Sequence, residues 1–176
     1  MNTPPVSPPT ASLVWAVYDL SLPGRWDCLA KDDAELTALG AVLIVSGKKP
    51  KQAHVFLDGV EAEEQWLAQD RWRNTLETLR TELASAVDGE IFLRAARRAV
   101  WLAARAQGGT APSLIYGAGL AESLVAWLAG RLLTIPFVIS IDDDTRWTSK
   151  LVTQLKAEAR AVRETSLTAA LSSTSA

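Results

Sequence analysis

Residues Ser113 to Asp144, SLIYGAGLAESLVAWLAGRLLTIPFVISIDDD, narrow the possible folds more than any other part of the chain. The stretch reads as a short apolar run from Leu114 to Tyr116, a glycine-flanked turn and a helix of about fourteen residues. An Ile135-Pro136 break, a second apolar run and an acidic cluster follow. Two uncharged runs joined by a crossover helix predict parallel strands buried on both faces, with a right-handed connection. In such sheets ligands bind beyond the carboxyl ends of the strands, so Tyr116 to Glu122 and Asp142 to Asp144 are expected on one rim.

The rest of the chain repeats the alternation. Leu13 to Tyr18 has the length of a buried strand and Ala41 to Ser46 reads as a second. Between them, Asp27 to Leu39 places Leu29, Ala30, Leu36 and Leu39 at helical spacing, with Asp27 as candidate N-cap and Gly40 as the stop. Ala53 to Leu57 reads as a third strand or an edge piece of open pairing. Glu61 to Val87 is amphipathic and reads as one or two helices, broken at Asp88-Gly89. Glu90 to Gln107 reads as a helix with Ile91, Ala95, Ala99, Leu102 and Ala103 on one side and Arg94, Arg97, Arg98 and Arg105 on nearby faces. Trp147 to Arg163 looks helical. The final SLTAALSSTS reads as a short strand in preference to a frayed helix. With no run of hairpin signals, the fold class expected is α/β: a Rossmann-like three-layer domain with a mostly parallel sheet flanked by helices. Residues 13–172 are expected to form it, with a disordered proline-rich tail at 1–12 and a short tail at 173–176.

Composition excludes several functions. A hydrophobic fraction of 48% and a charged fraction of 22% suit a globular chain rather than a disordered one. A net charge of −2 gives no electrostatic case for nucleic acid. The single cysteine, Cys28, rules out an internal disulfide and cysteine-rich metal centres, and fits a reducing compartment. The single histidine, His54, rules out a multi-histidine site. Met1 to Ser12 lacks a basic start and an apolar core, so no signal peptide is read there. Glu122, Arg131, glycines and a proline interrupt the longest apolar region, which argues against a membrane span. The expected location is cytoplasmic, with at most peripheral contact at the inner membrane face.

Each candidate site residue has two readings. Asp142, Asp143 and Asp144 offer hard oxygen ligands for a cation or sugar hydroxyls. Aspartate at a strand end is equally a helix cap, and adjacent aspartates cannot all face one ion. Gly117-Ala118-Gly119 opens like a dinucleotide loop, but Glu122 stands at the third glycine position and would repel a pyrophosphate. The glycines then serve close strand–helix approach and leave a helix amino terminus open to a polar ligand. Arg25 and Trp26 offer a cation and a sugar-stacking face; the alternative is a capped loop with Trp26 packed on its helix. The arginine-rich helix is either a solvated face or a contact for anionic lipid head groups with Trp101 as anchor. Trp66, Trp72, Trp101 and Trp127 are expected in the core or an interface. An apolar run ending in Asp-x-Asp also matches the metal motif of GT-A glycosyltransferases, though the first strand lacks that class's nucleotide-binding opening.

Three stretches together carry a resemblance: SLPGRWDCLAKDDAELTALGAVLIVS, IFLRAARRAVWLAARAQ and SLIYGAGLAESLVAWLAGRLLTIPFVISIDDD. In this order they resemble the amino-terminal half of retaining glycosyltransferases of family 4, the GT-B type, over about residues 13 to 172. The resemblance implies the acceptor-side domain, with Gly24, Arg25, Trp26, Tyr116, Gly117, Gly119, Glu122, Asp143 and Asp144 binding substrate and Asp142 as the catalytic position. It implies no cofactor and no resident metal. The partners it implies are a glycan or lipid-linked sugar acceptor and a separate donor-binding glycosyltransferase chain, because in that family a second Rossmann-like domain holds the nucleotide sugar. Three departures bear on catalysis. Tyr116 to Gly119 replace a His-rich strand end, and Asp142 stands where a His is common. The glycine-rich first loop is reduced to Gly24. The other reading from the residues is a non-catalytic interaction or regulatory module on the same fold.

Overall fold

In the computed structural model, residues 13–49, 55–68, 70–141, 149–164 and 166–172 are described. They form a six-stranded, wholly parallel sheet in the order β3-β2-β1-β4-β5-β6. The strands are β1 (Val14–Asp19), β2 (Val42–Ser46), β3 (Val55–Phe56), β4 (Leu114–Gly117), β5 (Phe137–Ser140) and β6 (Ala161–Arg163). The helices among the described residues are α1 (Arg25–Ala38), α2 (Gly59–Ala68), α3 (Arg73–Leu83), α4 (Gly89–Gln107), α5 (Leu120–Leu133), α6 (Ser149–Glu158) and α7 (Leu167–Ser172). The fold is α/β and Rossmann-like, with helices on both faces.

Right-handed crossovers decide which helix covers which face. The helical links from β3 to β4, β4 to β5 and β5 to β6 all run in one direction across the sheet, so α2 to α6 share one face. The helical β1-to-β2 link runs the other way, which puts α1 on the opposite face, where α7 joins it. Strand alternation serves both layers. Trp15, Val17 and Ile44 pack toward α2 to α6, while Val14, Ala16, Tyr18 and Val45 pack toward α1 and α7.

The central helix α5 is apolar nearly all round and correspondingly enclosed, with Leu120 and every residue from Glu122 to Gly130 buried. Its amino terminus is tied to β5 by Ser123. The Ser123 hydroxyl donates to the Ser140 carbonyl at 3.1 Å and accepts from the Ser140 N–H at 3.3 Å. Trp72, Trp101 and Trp127 are core residues, and Trp66 packs against them half-buried. Burial of Trp101 removes it as a membrane anchor, although the Arg105 guanidinium covers its ring at 5.3 Å.

Three boundaries differ from expectation. The expected helix from Trp147 to Arg163 ends at Glu158, and Ala161–Arg163 continues as an edge strand parallel to β5. The tail expected as a strand is helix α7, whose Leu167 and Ala170 cover the sheet. Helix α1 starts at Arg25, with Gly24 rather than Asp27 at the N-cap and in the left-handed region (φ 77°). The third strand is a two-residue piece that pairs parallel with β2. The proposed tails at 1–12 and 173–176, and His54, lie outside the described residues. No helix among the described residues is long and apolar enough to cross a membrane.

Candidate functional site

The carboxyl ends of β1 and β4 adjoin at the point where the chain's winding direction reverses, the usual ligand position in an open parallel sheet. Here that crevice is filled from within. Arg25, first residue of α1, meets Glu122, in the first turn of α5. Its Nη2 donates to Oε1 at 3.0 Å and its Nε donates to Oε2. Arg25 is 3% exposed and Glu122 1%. The Asp19 backbone N–H also donates to Glu122, at 3.2 Å. Burial pushes the Glu122 carboxyl above its usual range, and Arg25 opposes that shift.

The glycines around this pair are set by close approach. A Cβ on Gly119 would fall 1.9 Å from Arg25 Nη2. One on Gly117 would fall 2.5 Å from the Ser123 backbone nitrogen, so strand and helix can meet only without a side chain there.

Beside this pair, Asp19 accepts from Arg98 of α4 at 2.8 Å and from the Ser21 hydroxyl at 2.6 Å. Burial pushes the Asp19 carboxyl up, but Arg98 and Ser21 outweigh it and hold the group below its usual range. A cavity of about 70 Å³ adjoins Asp19 and Arg98 here, space for a few water molecules.

On the opposite face, Arg163 of β6 makes two bonds to Asp32 of α1, at 2.7 and 2.9 Å, and donates to the Tyr116 hydroxyl at 3.1 Å. The Tyr18 hydroxyl donates to Asp32 at 2.8 Å. Tyr116 is therefore a member of a buried network under α1 and α7, with its ring edge-on to Tyr18.

Of the residues singled out from sequence, the fold gathers Arg25, Gly117, Gly119 and Glu122 at one point. Gly24 and Trp26 lie exposed on the adjoining rim, Trp26 at 45%. Tyr116 faces the other layer. Asp142, Asp143 and Asp144 lie outside the described residues.

The open space lies one strand further along. A groove of about 830 Å³ runs between the carboxyl ends of β2 and β3, the start of α2 and the first half of α4. Its polar wall includes Ser46, Arg94, Arg97 and Arg98, and its apolar parts include Leu57 and Ile91. Gly47 makes the opening possible: at φ 88° it turns the chain out of β2 within 2.6 Å, measured from an added Cβ, of the Ser21 backbone nitrogen. The sequence offers no signal for Ser46, and it reads the arginines chiefly as a solvated face. Their spacing at i, i+3 and i+4 was the available signal, since it puts three guanidinium groups on one side of a helix.

At the adjoining switch point, Asp19 and Glu122 are both engaged by arginines, while the carboxylate on the groove wall is Glu90. No group of three or more candidate metal-ligating side chains occurs among the described residues. No family model matches the chain, and no curated protein matches it.

Proposed function

We propose that this chain is the acceptor-side half of a GT-B-like glycosyltransferase of polysaccharide or glycoconjugate biosynthesis, acting in the cytoplasm. The single observation behind this reading is the wholly parallel sheet with a large, partly polar groove on its carboxyl rim. A glycan or lipid-linked sugar acceptor would lie along that rim, with the exposed indole of Trp26 and the turn at Gly24 at its edge. Arg25, Gly117, Gly119 and Glu122 act in this reading by fixing the rim's shape, and Asp142 is the proposed catalytic position. The described residues hold one sheet, whereas GT-B transfer uses two facing domains. Activity therefore requires a donor-binding domain, in the same polypeptide or from a partner chain.

The test is a transfer assay with nucleotide sugars, run on the chain alone and on the chain co-expressed with a candidate donor domain. Product only from the combination is expected. Metal-dependent turnover by the chain alone would overturn the reading and favour a GT-A-like use of Asp142, Asp143 and Asp144. A specific observation favours a second reading, a non-catalytic interaction module: two ion pairs, Arg25 with Glu122 and Asp19 with Arg98, close the position where donor and acceptor would meet. Stable complexes that form without any sugar transfer would support it.

A further inference from the structure

We propose that the groove beside β2 binds a phosphate-bearing ligand, with Arg94, Arg97 and Ser46 holding its oxyanion. Among the described residues, the buried side-chain polar atoms left without a hydrogen-bond partner are Ser46 Oγ and Arg97 Nε. Both belong to residues that line this one groove. A buried donor left unsatisfied is costly, and an arriving oxyanion supplies the missing acceptor to both. Ser46 is only 3% exposed, at the wall of the groove.

The charge of the wall points the same way. Arg94 is exposed, lines the groove and makes no ion pair among the described residues. Arg97 reaches Glu63 only at 3.8 Å, with its side chain 38% exposed. Arg98 is held by Asp19 at 2.8 Å and so is fixed in place beside them. Against three arginines the groove wall carries one carboxylate, Glu90. Helix α2 also begins at the groove, at Gly59, so the positive end of its dipole faces the same space. A phosphate group fills a small part of about 830 Å³, and the remainder fits the body of the molecule that carries it.

This inference does not rest on the transferase reading, since a neutral glycan acceptor would satisfy that reading without any anion. Its test uses inorganic phosphate titrated into the purified full chain by calorimetry, at ionic strength held constant with chloride. Saturable binding is expected, weakened about tenfold in Arg94→Gln and in Ser46→Ala and unchanged in Arg105→Gln, whose side chain lies over Trp101 outside the groove. Arg94 is exposed, so Arg94→Gln retains the fold if Ser46→Ala does not. A second arm measures sedimentation with phosphatidylglycerol and phosphatidylcholine vesicles. Binding to the anionic vesicles that inorganic phosphate displaces identifies a lipid headgroup as the phosphate source. Absence of such binding, with phosphate still bound, identifies a soluble ligand. No saturable phosphate binding, or binding of equal strength in wild type and Arg94→Gln, overturns the proposal.

Discussion

Arg25 and Glu122, 97 residues apart in the chain, close on each other across the crevice between β1 and β4 with almost no exposure to solvent. Two side chains that the sequence suggested for a ligand are each other's partner. Desolvating both charges is expensive, and the attraction between them offsets that cost only while both are present. Glu122→Gln is therefore expected to destabilise the protein by about 3–5 kcal/mol by stranding a buried guanidinium. The double variant Arg25→Met/Glu122→Leu should recover most of that loss. Urea unfolding of the three proteins measures it, and a mild single variant together with a severe double one would refute the account.

The two neighbouring glycines should respond differently to alanine. At Gly119 the obstacle is the end of the Arg25 side chain, which the Arg25→Met/Glu122→Leu background removes. Gly119→Ala is expected to cost about 1–3 kcal/mol in the wild type and much less in that background. At Gly117 the obstacle is the backbone of Glu122 and Ser123, so Gly117→Ala should be equally damaging in both. A double-mutant cycle with equal losses at Gly119 in the two backgrounds would contradict the assignment.

Both tyrosines of the chain lie in one buried network, which alkaline titration can read directly. Burial raises both phenols above the usual value, and for Tyr18 the neighbouring Tyr116 and Asp32 add to the effect. Because the folded-state pKa values exceed those of the unfolded chain, stability should fall as pH rises past about 10, where unfolded tyrosines ionise. Phenolate absorbance should stay flat through that pH and then rise in one step with loss of the circular dichroism signal. A gradual rise near pH 10 with the dichroism intact would count against the buried network.

Acid should act through Asp19. Its folded-state pKa lies below the unfolded value, so its contribution is present above the usual carboxylate range and lost as pH falls through the lowered pKa. Asp19→Asn is expected to lower stability at neutral pH and to flatten the loss between about pH 4 and pH 2. Urea midpoints collected across that range provide the check, and parallel curves for the two proteins would assign the acid sensitivity to other groups.

Much of the architecture was legible in the residues. The uncharged runs at Leu114 and Phe137, flanking a helix apolar nearly all round, allow little except a parallel pair with a buried crossover. Strand β6 was hidden because it is three residues long and half-exposed, with Val162 next to Arg163, and an amphipathic helix precedes it. Its identity comes from pairing with β5, which no local pattern encodes. The rim was located by the strand-end rule, and the charges on it were visible, but which charges would neutralise one another was not. Glu122 was read as a ligand-facing acid because its partner is 97 residues away. The groove has no local signature for the same reason: Ser46, Gly59 and Arg94 become neighbours only once α2 and α4 pack beside β2.

Strand β1 occupies the middle of the sheet, with β2 on one side and β4 on the other. Val14 pairs with Leu114, so one edge of β1 has no partner until about a hundred further residues have been added. At about 5–20 residues per second, that wait lasts roughly 5–20 s on the ribosome. During it, an uncharged strand edge bearing Val14, Trp15, Ala16 and Val17 is open to other nascent chains. The winding order that places a groove on the rim thus also leaves a central strand edge unpaired while much of the sheet is still being made.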